Sequence, residues 1–280
     1  MQTVKLNNGV EMPILGYGVF LIDPKECERC VSDAIDVGYR MIDTAQAYFN
    51  EEGVGNAVQK SGIKRNEFFL VSKIWITNGG YDRAKASIDE SLEKLQTDYI
   101  DLMLIHQPFN NYYGTYRAME DAYKEGKLRA IGLSNFFPDR FVDISNFVEI
   151  QPMVNQMETH VFQQQKFARK YLEKYNTQLM AWSPMARGEN NIFTHETLKL
   201  IGDKYGKTPA QVALRFLTQE NIIVIPKSTK KERMKENFEI FDFEISEDDM
   251  NTLRNLDKGE SAFVDHYDPE FVEYIINYGK

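Results

Sequence analysis

Two cysteines in 280 residues allow no disulfide framework, so a buried core has to hold the chain together. Nowhere do the ~18 consecutive apolar residues of a membrane span occur, and no membrane partner is expected. The opening MQTVKLNNGV lacks a basic segment followed by an apolar run, which is the pattern of a secretory leader. A cytoplasmic protein is expected. Positive charge is in short supply: 33 Lys and Arg against 42 Asp and Glu leave a formal net charge of −9. Such a field repels polyanions, which argues against nucleic acid. The four histidines, His106, His160, His195 and His266, form no close pair, so neither a metal site nor a metal-dependent hydrolase is expected. No repeat, low-complexity tract or linker interrupts the chain. One domain over residues 1–280, acting as a monomer on a small molecule, is the expectation.

The two cysteines, Cys27 and Cys30, have C-x-x-C spacing, which in another context marks a redox pair. Here Asp23 is placed to cap a helix, Pro24 sits at its first position and Glu26 at its third. Cys27, Cys30, Val31, Ala34 and Ile35 then fall on one helical face. Core packing is the better reading.

Eight short apolar runs recur along the chain, at 15–20, 39–44, 68–74, 100–106, 128–134, 152–157, 178–183 and 222–227. Several, such as IDLMLIH and NIIVIPK, are apolar throughout, as strands buried on both faces must be. Amphipathic segments such as DRAKASIDESLEKLQ separate them, and Gly38, Gly62 and Gly126 are placed as helix stops. Eight alternating units predict an α/β fold, a (β/α)8 TIM barrel. Asn8-Gly9 between two short apolar runs predicts a β-hairpin ahead of the barrel, at its bottom. The rival is a doubly wound dinucleotide fold. Its glycine fingerprint is incomplete at both Gly16-x-Gly18 and Gly53-x-Gly55.

Barrel active sites lie at the C-terminal ends of the strands. Here the strands end on Asp43, Lys73, His106, Ser134-Asn135, Asn155-Gln156 and Trp182-Ser183. A lone lysine there would read as solvated, and a lone histidine as a satisfied structural group. Together they suggest chemistry. Tyr48 follows Asp43 by five residues. A phenol titrates near ~10, and a neighbouring ammonium is expected to lower that value. A carboxylate would hold the ammonium in place. Tyr48 is then a candidate general acid, with His106 orienting a substrate oxygen. Such a set suits protonation of a developing alkoxide, with hydride taken from a cofactor.

The motifs GYRMIDTAQAYFNEEGVG, VSKIW, DYIDLMLIH, IGLSNF, VNQME, AWSPM, KTPAQVALRF and VIPKSTKKERMKENFEIFDFEIS are similar to those of the aldo-keto reductases, over nearly the full length. The flavour is that of the bacterial 2,5-diketo-D-gluconate and methylglyoxal reductases. The resemblance implies NAD(P)H-dependent reduction of aldehydes and ketones. It makes Tyr48 the proton donor, Lys73 and Asp43 its support, and His106 the substrate-orienting group. It assigns Ser134, Asn135 and Gln156 to the nicotinamide carboxamide, Trp182 to the ring, and Ser183, Met185 and the ARG stretch to the pyrophosphate. Lys227, Ser228, Thr229, Arg233 and Asn237 are expected at the adenosine end. Thr229 and Glu232 have capping-box spacing, which makes Thr229 the expected N-cap of a helix whose start favours anions. Lys227 and Arg233 match contacts to the 2′-phosphate, so NADPH (with NADP+ as product) is expected over NADH.

Two departures stand out. Gln107 occupies a position where relatives often have tryptophan, and so does Phe20. Phe20, Phe49 and Trp75, with Phe109 and Tyr112 or Tyr113, are candidates for an apolar substrate wall. The short loop QPFNNYYG predicts that this wall is low, with the tail from Asp265 closing one side. The competing class is a regulatory or structural NADP(H)-binding module with weak turnover, which fold alone does not exclude. A mere binding module has no use for Tyr48.

Overall fold

The computed structural model describes residues 2–278. Two short strands, β1 (Thr3–Lys5) and β2 (Glu11–Pro13), form the expected antiparallel hairpin around Asn7-Asn8-Gly9. Its turn donates from Asn7 to the Pro152 carbonyl and from Asn8 to the Arg129 carbonyl. Both acceptors lie just before barrel strands, so the hairpin closes the N-terminal end of the barrel.

Every one of the eight apolar runs carries a strand: β3 (Tyr17–Gly18), β4 (Met41–Asp43), β5 (Phe69–Ile74), β6 (Leu102–Ile105), β7 (Ile131–Ser134), β8 (Val154–Glu158), β9 (Gln178–Trp182) and β10 (Ile223–Val224). They pair in chain order, all parallel. The sheet closes between its first and last members. Gly16 N–H donates to the Val224 carbonyl and Val224 N–H to the Ile14 carbonyl, both at 2.9 Å. The two seam strands are far shorter than their apolar runs because the flanking residues bond singly rather than as a ladder. β7 needs its glycine: a Cβ on Gly132 would lie 2.3 Å from the Val154 carbonyl oxygen.

Helices follow the strands, beginning with Pro24–Val37, where Asp23 caps by accepting from the Lys25 N–H. Cys27 and Cys30 are free and buried on its inner face. Burial pushes the Cys27 thiol up to about 12, so it is no nucleophile at neutral pH. Helices Glu51–Lys60, Tyr81–Leu95, Tyr112–Lys124, Pro138–Phe147 and Lys166–Lys174 continue the alternation, and Glu196–Tyr205 with Pro209–Gln219 fill the step before β10.

One expectation needs correction. The helix after β10 is Lys231–Phe238, with Lys230 and not Thr229 at its N-cap position. The Ser228 hydroxyl accepts the Lys230 N–H and makes a tight turn one residue earlier than a Thr229 cap would require. Thr229 is left exposed, with no capping bond among the described residues. Two buried phenols tie this helix to the barrel: Tyr17 donates to the Ser228 carbonyl and Tyr39 to the Met234 carbonyl.

A last helix, Pro269–Asn277, called the tail helix below, is capped by Asp268. Val272, Ile275 and Ile276 sit on one face of it. They pack on a small cluster of Ala47, Trp75, Ile76 and Phe109, apart from the main core. The wall beside Phe109 is therefore higher than its short loop implies, because the tail builds it. No helix among the described residues is long and apolar enough to cross a membrane.

Candidate active site

Asp43 ends β4, and Lys73 lies one strand over in β5, where every side chain is buried. Lys73 is 0% exposed. Its ammonium donates to Asp43 Oδ1 at 2.7 Å, the Thr44 carbonyl at 2.8 Å and the Tyr48 hydroxyl oxygen at 3.3 Å. All three ammonium hydrogens are thereby used. Burial is the strongest single influence and works against its charge, but Asp43 and Tyr48 together outweigh it and Lys73 stays above its usual pKa. The other Asp43 oxygen accepts from Gln156 Nε2 at 2.8 Å.

Tyr48 is reached by a one-turn 3-10 helix, Gln46–Tyr48, which Gln46 fastens through bonds to the Trp75 N–H and the Ser87 carbonyl. Its oxygen accepts from Lys73, so its own O–H is free for another acceptor. The expected lowering of its pKa is not the net result. Burial raises the phenol first, and Lys73 only partly opposes it.

His106 stands edge-on to Tyr48 at 5.4 Å and to Trp75 at 4.9 Å between ring centroids. Burial, and then repulsion from Lys73, hold its pKa well below the usual value. It is neutral at neutral pH. Its Nδ1 is buried without a partner among the described residues, an unusual state for an interior nitrogen. Phe20 packs on Tyr48 at 4.9 Å, so Asp43, Tyr48, Lys73, Trp75, His106 and Phe20 share one mouth. Phe49 does not join them: it is 69% exposed, at φ +56° beyond the turn. Tyr112 and Tyr113 pack at the start of their own helix, against Phe136 and each other.

Across the mouth, Asn135 adopts φ +63°, a conformation asparagine tolerates. Its amide donates to the His106 carbonyl and to Ser134 Oγ, each at 3.2 Å. Its oxygen accepts from Trp182 Nε1 at 2.8 Å, which fixes the indole. Ser183 Oγ accepts from Arg187, and Met185 packs on the core. The Arg187 guanidinium lies over Phe20, Trp182 and Phe263 at 5.2, 5.8 and 4.5 Å. At the far end, Lys231 pairs with Asp36 and Lys235 with Glu239, whereas Lys227 and Arg233 are exposed without an ion pair among the described residues. Asn237 is buried one turn past Arg233.

A family model described as the aldo/keto reductase family matches residues 15–258. The chain belongs to this family. It is 47% identical over 261 residues to glyoxal reductase of Bacillus subtilis (strain 168), covering 92% of this chain and 94% of that protein. It is 37% identical to methylglyoxal reductase DkgA of Escherichia coli (strain K12), with the same coverage. Among solved structures, MGS-M4, an aldo-keto reductase from a Medee basin deep-sea metagenome library, superposes with a TM-score of 0.92 at 43% identity. That match covers 95% of this chain and 98% of MGS-M4. This aldo-keto reductase is thus a carbonyl-directed oxidoreductase on a (β/α)8 barrel, and its tail from Gly259 lies beyond the family match.

Sequence reasoning missed how that tail is tied down. Glu158 ends β8 and is buried; one oxygen accepts from the Ala262 N–H and His160 Nε2, the other from Ser261 Oγ. His160 Nδ1 accepts from the Phe162 N–H, so the ring proton sits on Nε2. The tail covers an open cleft of about 550 Å³ that begins at Asn135 and Trp182. A carboxylate ending a buried strand, as Asp43 does, was the available signal.

Proposed function

We propose that this chain reduces small reactive aldehydes and ketones of the 2-oxoaldehyde class to alcohols, with NADPH as reductant and Tyr48 as proton donor. The observation that carries the reading is the Lys73 ammonium, whose three bonds include the Tyr48 oxygen and leave the Tyr48 proton free. When bound, the reduced nicotinamide supplies the hydride. Tyr48 gives its proton to the carbonyl oxygen as negative charge develops there, and Lys73 stabilises the phenolate that results. Neutral His106 donates a hydrogen bond to the same oxygen and orients it; with so low a pKa it does not compete as the acid.

The residues fit the cofactor. Ser134, Asn135 and Gln156 line one side of the mouth. No group among the described residues donates to the Gln156 amide oxygen, which leaves it for a carboxamide N–H. Trp182, held by Asn135, offers a ring face. Lys227 and Arg233, cations without an ion pair among the described residues, with Ser228, Thr229 and Asn237 beside them, suit a 2′-phosphate, which favours NADPH. The substrate class follows the glyoxal and methylglyoxal reductases among the relatives. Phe20 and Trp75 beside Tyr48 suit a short carbon chain.

Steady-state oxidation of NADPH with glyoxal and methylglyoxal tests this directly. Tyr48→Phe should lower kcat by ~10²–10⁴-fold and leave NADPH binding near that of the parent. Parent-like turnover in that variant would remove Tyr48 from its role. Absence of turnover over a broad aldehyde panel, with tight NADPH binding, would favour a binding module.

A further inference from the structure

The residue after the orienting imidazole, Gln107, is buried and faces the tail. Its amide oxygen lies 3.0 Å from His266 Nε2 and 3.4 Å from Asn135 Nδ2. His266 is only 4% exposed. Three rings box it in: Phe109, stacked at 6.3 Å, Phe137 at 5.5 Å and Phe271 at 5.2 Å. An imidazole buried among rings needs a partner for its N–H, and Gln107 is that partner. Two residues later Asp268 caps the tail helix. The far end of that helix is held where Trp75 Nε1 donates to the Tyr278 carbonyl at 3.0 Å.

The helix between these anchors has no fully buried residue. Its position therefore depends on its two ends more than on its face. That position matters to the site. Val272, Ile275 and Ile276 press on Trp75 and Phe109, and Trp75 in turn stands edge-on to His106. Gln107 sits at a strand end within the family match, and His266 comes from a tail beyond it.

We propose that Gln107 and His266 form a latch that fixes the tail helix as a wall of the substrate pocket and limits the enzyme to short carbonyl compounds. His266 is a positioning residue, acting through Gln107 and Trp75 and touching no reacting atom. Opening the latch lets the helix and Trp75 move outward, so bulky 2-oxoaldehydes gain access while short ones react as before. The proposal rests on the reading of this mouth as a carbonyl-reducing site.

The test compares methylglyoxal with phenylglyoxal, which share the dicarbonyl and differ in bulk, in the full chain and two variants. His266→Phe keeps the aromatic box filled and deletes the hydrogen bond; a chain ending after Tyr267 removes the helix. In both, the phenylglyoxal-to-methylglyoxal ratio of kcat/KM should rise by ~10-fold, the scale of relieved crowding in an apolar pocket. The gain should come through the KM of phenylglyoxal. Amide exchange over residues 268–278 should speed up in His266→Phe, which a merely space-filling role for His266 would not produce. A ratio that rises less than about 5-fold in both variants, or unchanged exchange in His266→Phe, overturns the proposal. If the parent chain reduces neither aldehyde, the functional reading fails instead, and the exchange measurement alone decides the latch.

Discussion

Lysine 73 is the most informative residue to remove, because stability and catalysis should respond to it differently. Lys73→Met keeps a long unbranched side chain but takes away the ammonium between Asp43, Thr44 and Tyr48. Asp43 would then be a buried carboxylate with Gln156 as its remaining side-chain partner. Breaking a buried pair by removing one member costs about 3–5 kcal/mol. For a chain of this size that corresponds to a fall in Tm on the order of 6–20 °C. Catalysis should drop by ~10²–10⁴-fold, since the Tyr48 phenolate loses its cation. Adding Asp43→Asn removes the stranded charge and keeps an oxygen for Gln156. The double variant should regain more than half of the lost Tm and none of the activity. Scanning calorimetry and an NADPH-oxidation assay on parent, single and double variants measure both. A double variant that melts as low as the single one would show that the loss came from packing, and turnover within about ten-fold of the parent in Lys73→Met would refute the role of the ammonium.

Other perturbations probe separate parts of the molecule. Arg233→Ala should raise the Kd for NADPH by roughly 10–100-fold, the value of a charge-assisted bond, and leave NADH binding unchanged in a fluorescence titration; equal losses with both would argue against a 2′-phosphate contact. The kcat for reduction should stay flat through neutral pH and fall only in alkali, above the ordinary range of a phenol, because burial raises Tyr48 and the proposed mechanism needs its proton. No acidic limb near pH ~6 should appear, since His106 is already neutral there; a limb at that pH would mean that a protonated imidazole matters. Gly132→Ala should destabilise the barrel by about 1–3 kcal/mol, because the new methyl meets the Val154 carbonyl at 2.3 Å, and denaturant midpoints would register it.

The barrel was legible because its strands are buried on both faces, which writes them as continuous apolar runs that no amphipathic helix imitates. The candidate catalytic group was legible for the same reason. A carboxylate, an ammonium and an imidazole at the ends of such runs have little other use. The basic cluster after β10 was readable, but the cap of its helix was not. Ser228 and Thr229 are both competent caps, and only backbone geometry decides between a serine turn and a threonine cap. The tail resisted most. Ser261, Phe263 and His266 owe their placement to Glu158, Trp182 and Gln107, which lie between 81 and 159 residues away in the chain. Nothing local in the tail records those partners.

Tyr48 joins what the sequence and the structure say separately. The spacing of Lys73 and Tyr48 suggests an ammonium that lowers the phenol, whereas burial raises it further than Lys73 lowers it. A proton donor, the role proposed for Tyr48, benefits from both effects, at different moments. Before reaction, a raised pKa keeps the proton on Tyr48 throughout the neutral range, so the donor form is fully populated. The ammonium contributes little to that resting state: its bond to the neutral phenol oxygen, at 3.3 Å, is the longest of its three. Once the proton moves, the oxygen carries charge, and bonds to charged oxygens are shorter and about twice as strong. The stabilisation from Lys73 therefore grows along the reaction, which is the kind that lowers a barrier, whereas equal stabilisation of both states would not. Asp43 completes the arrangement by helping to keep Lys73 charged inside the barrel, where burial works against that charge.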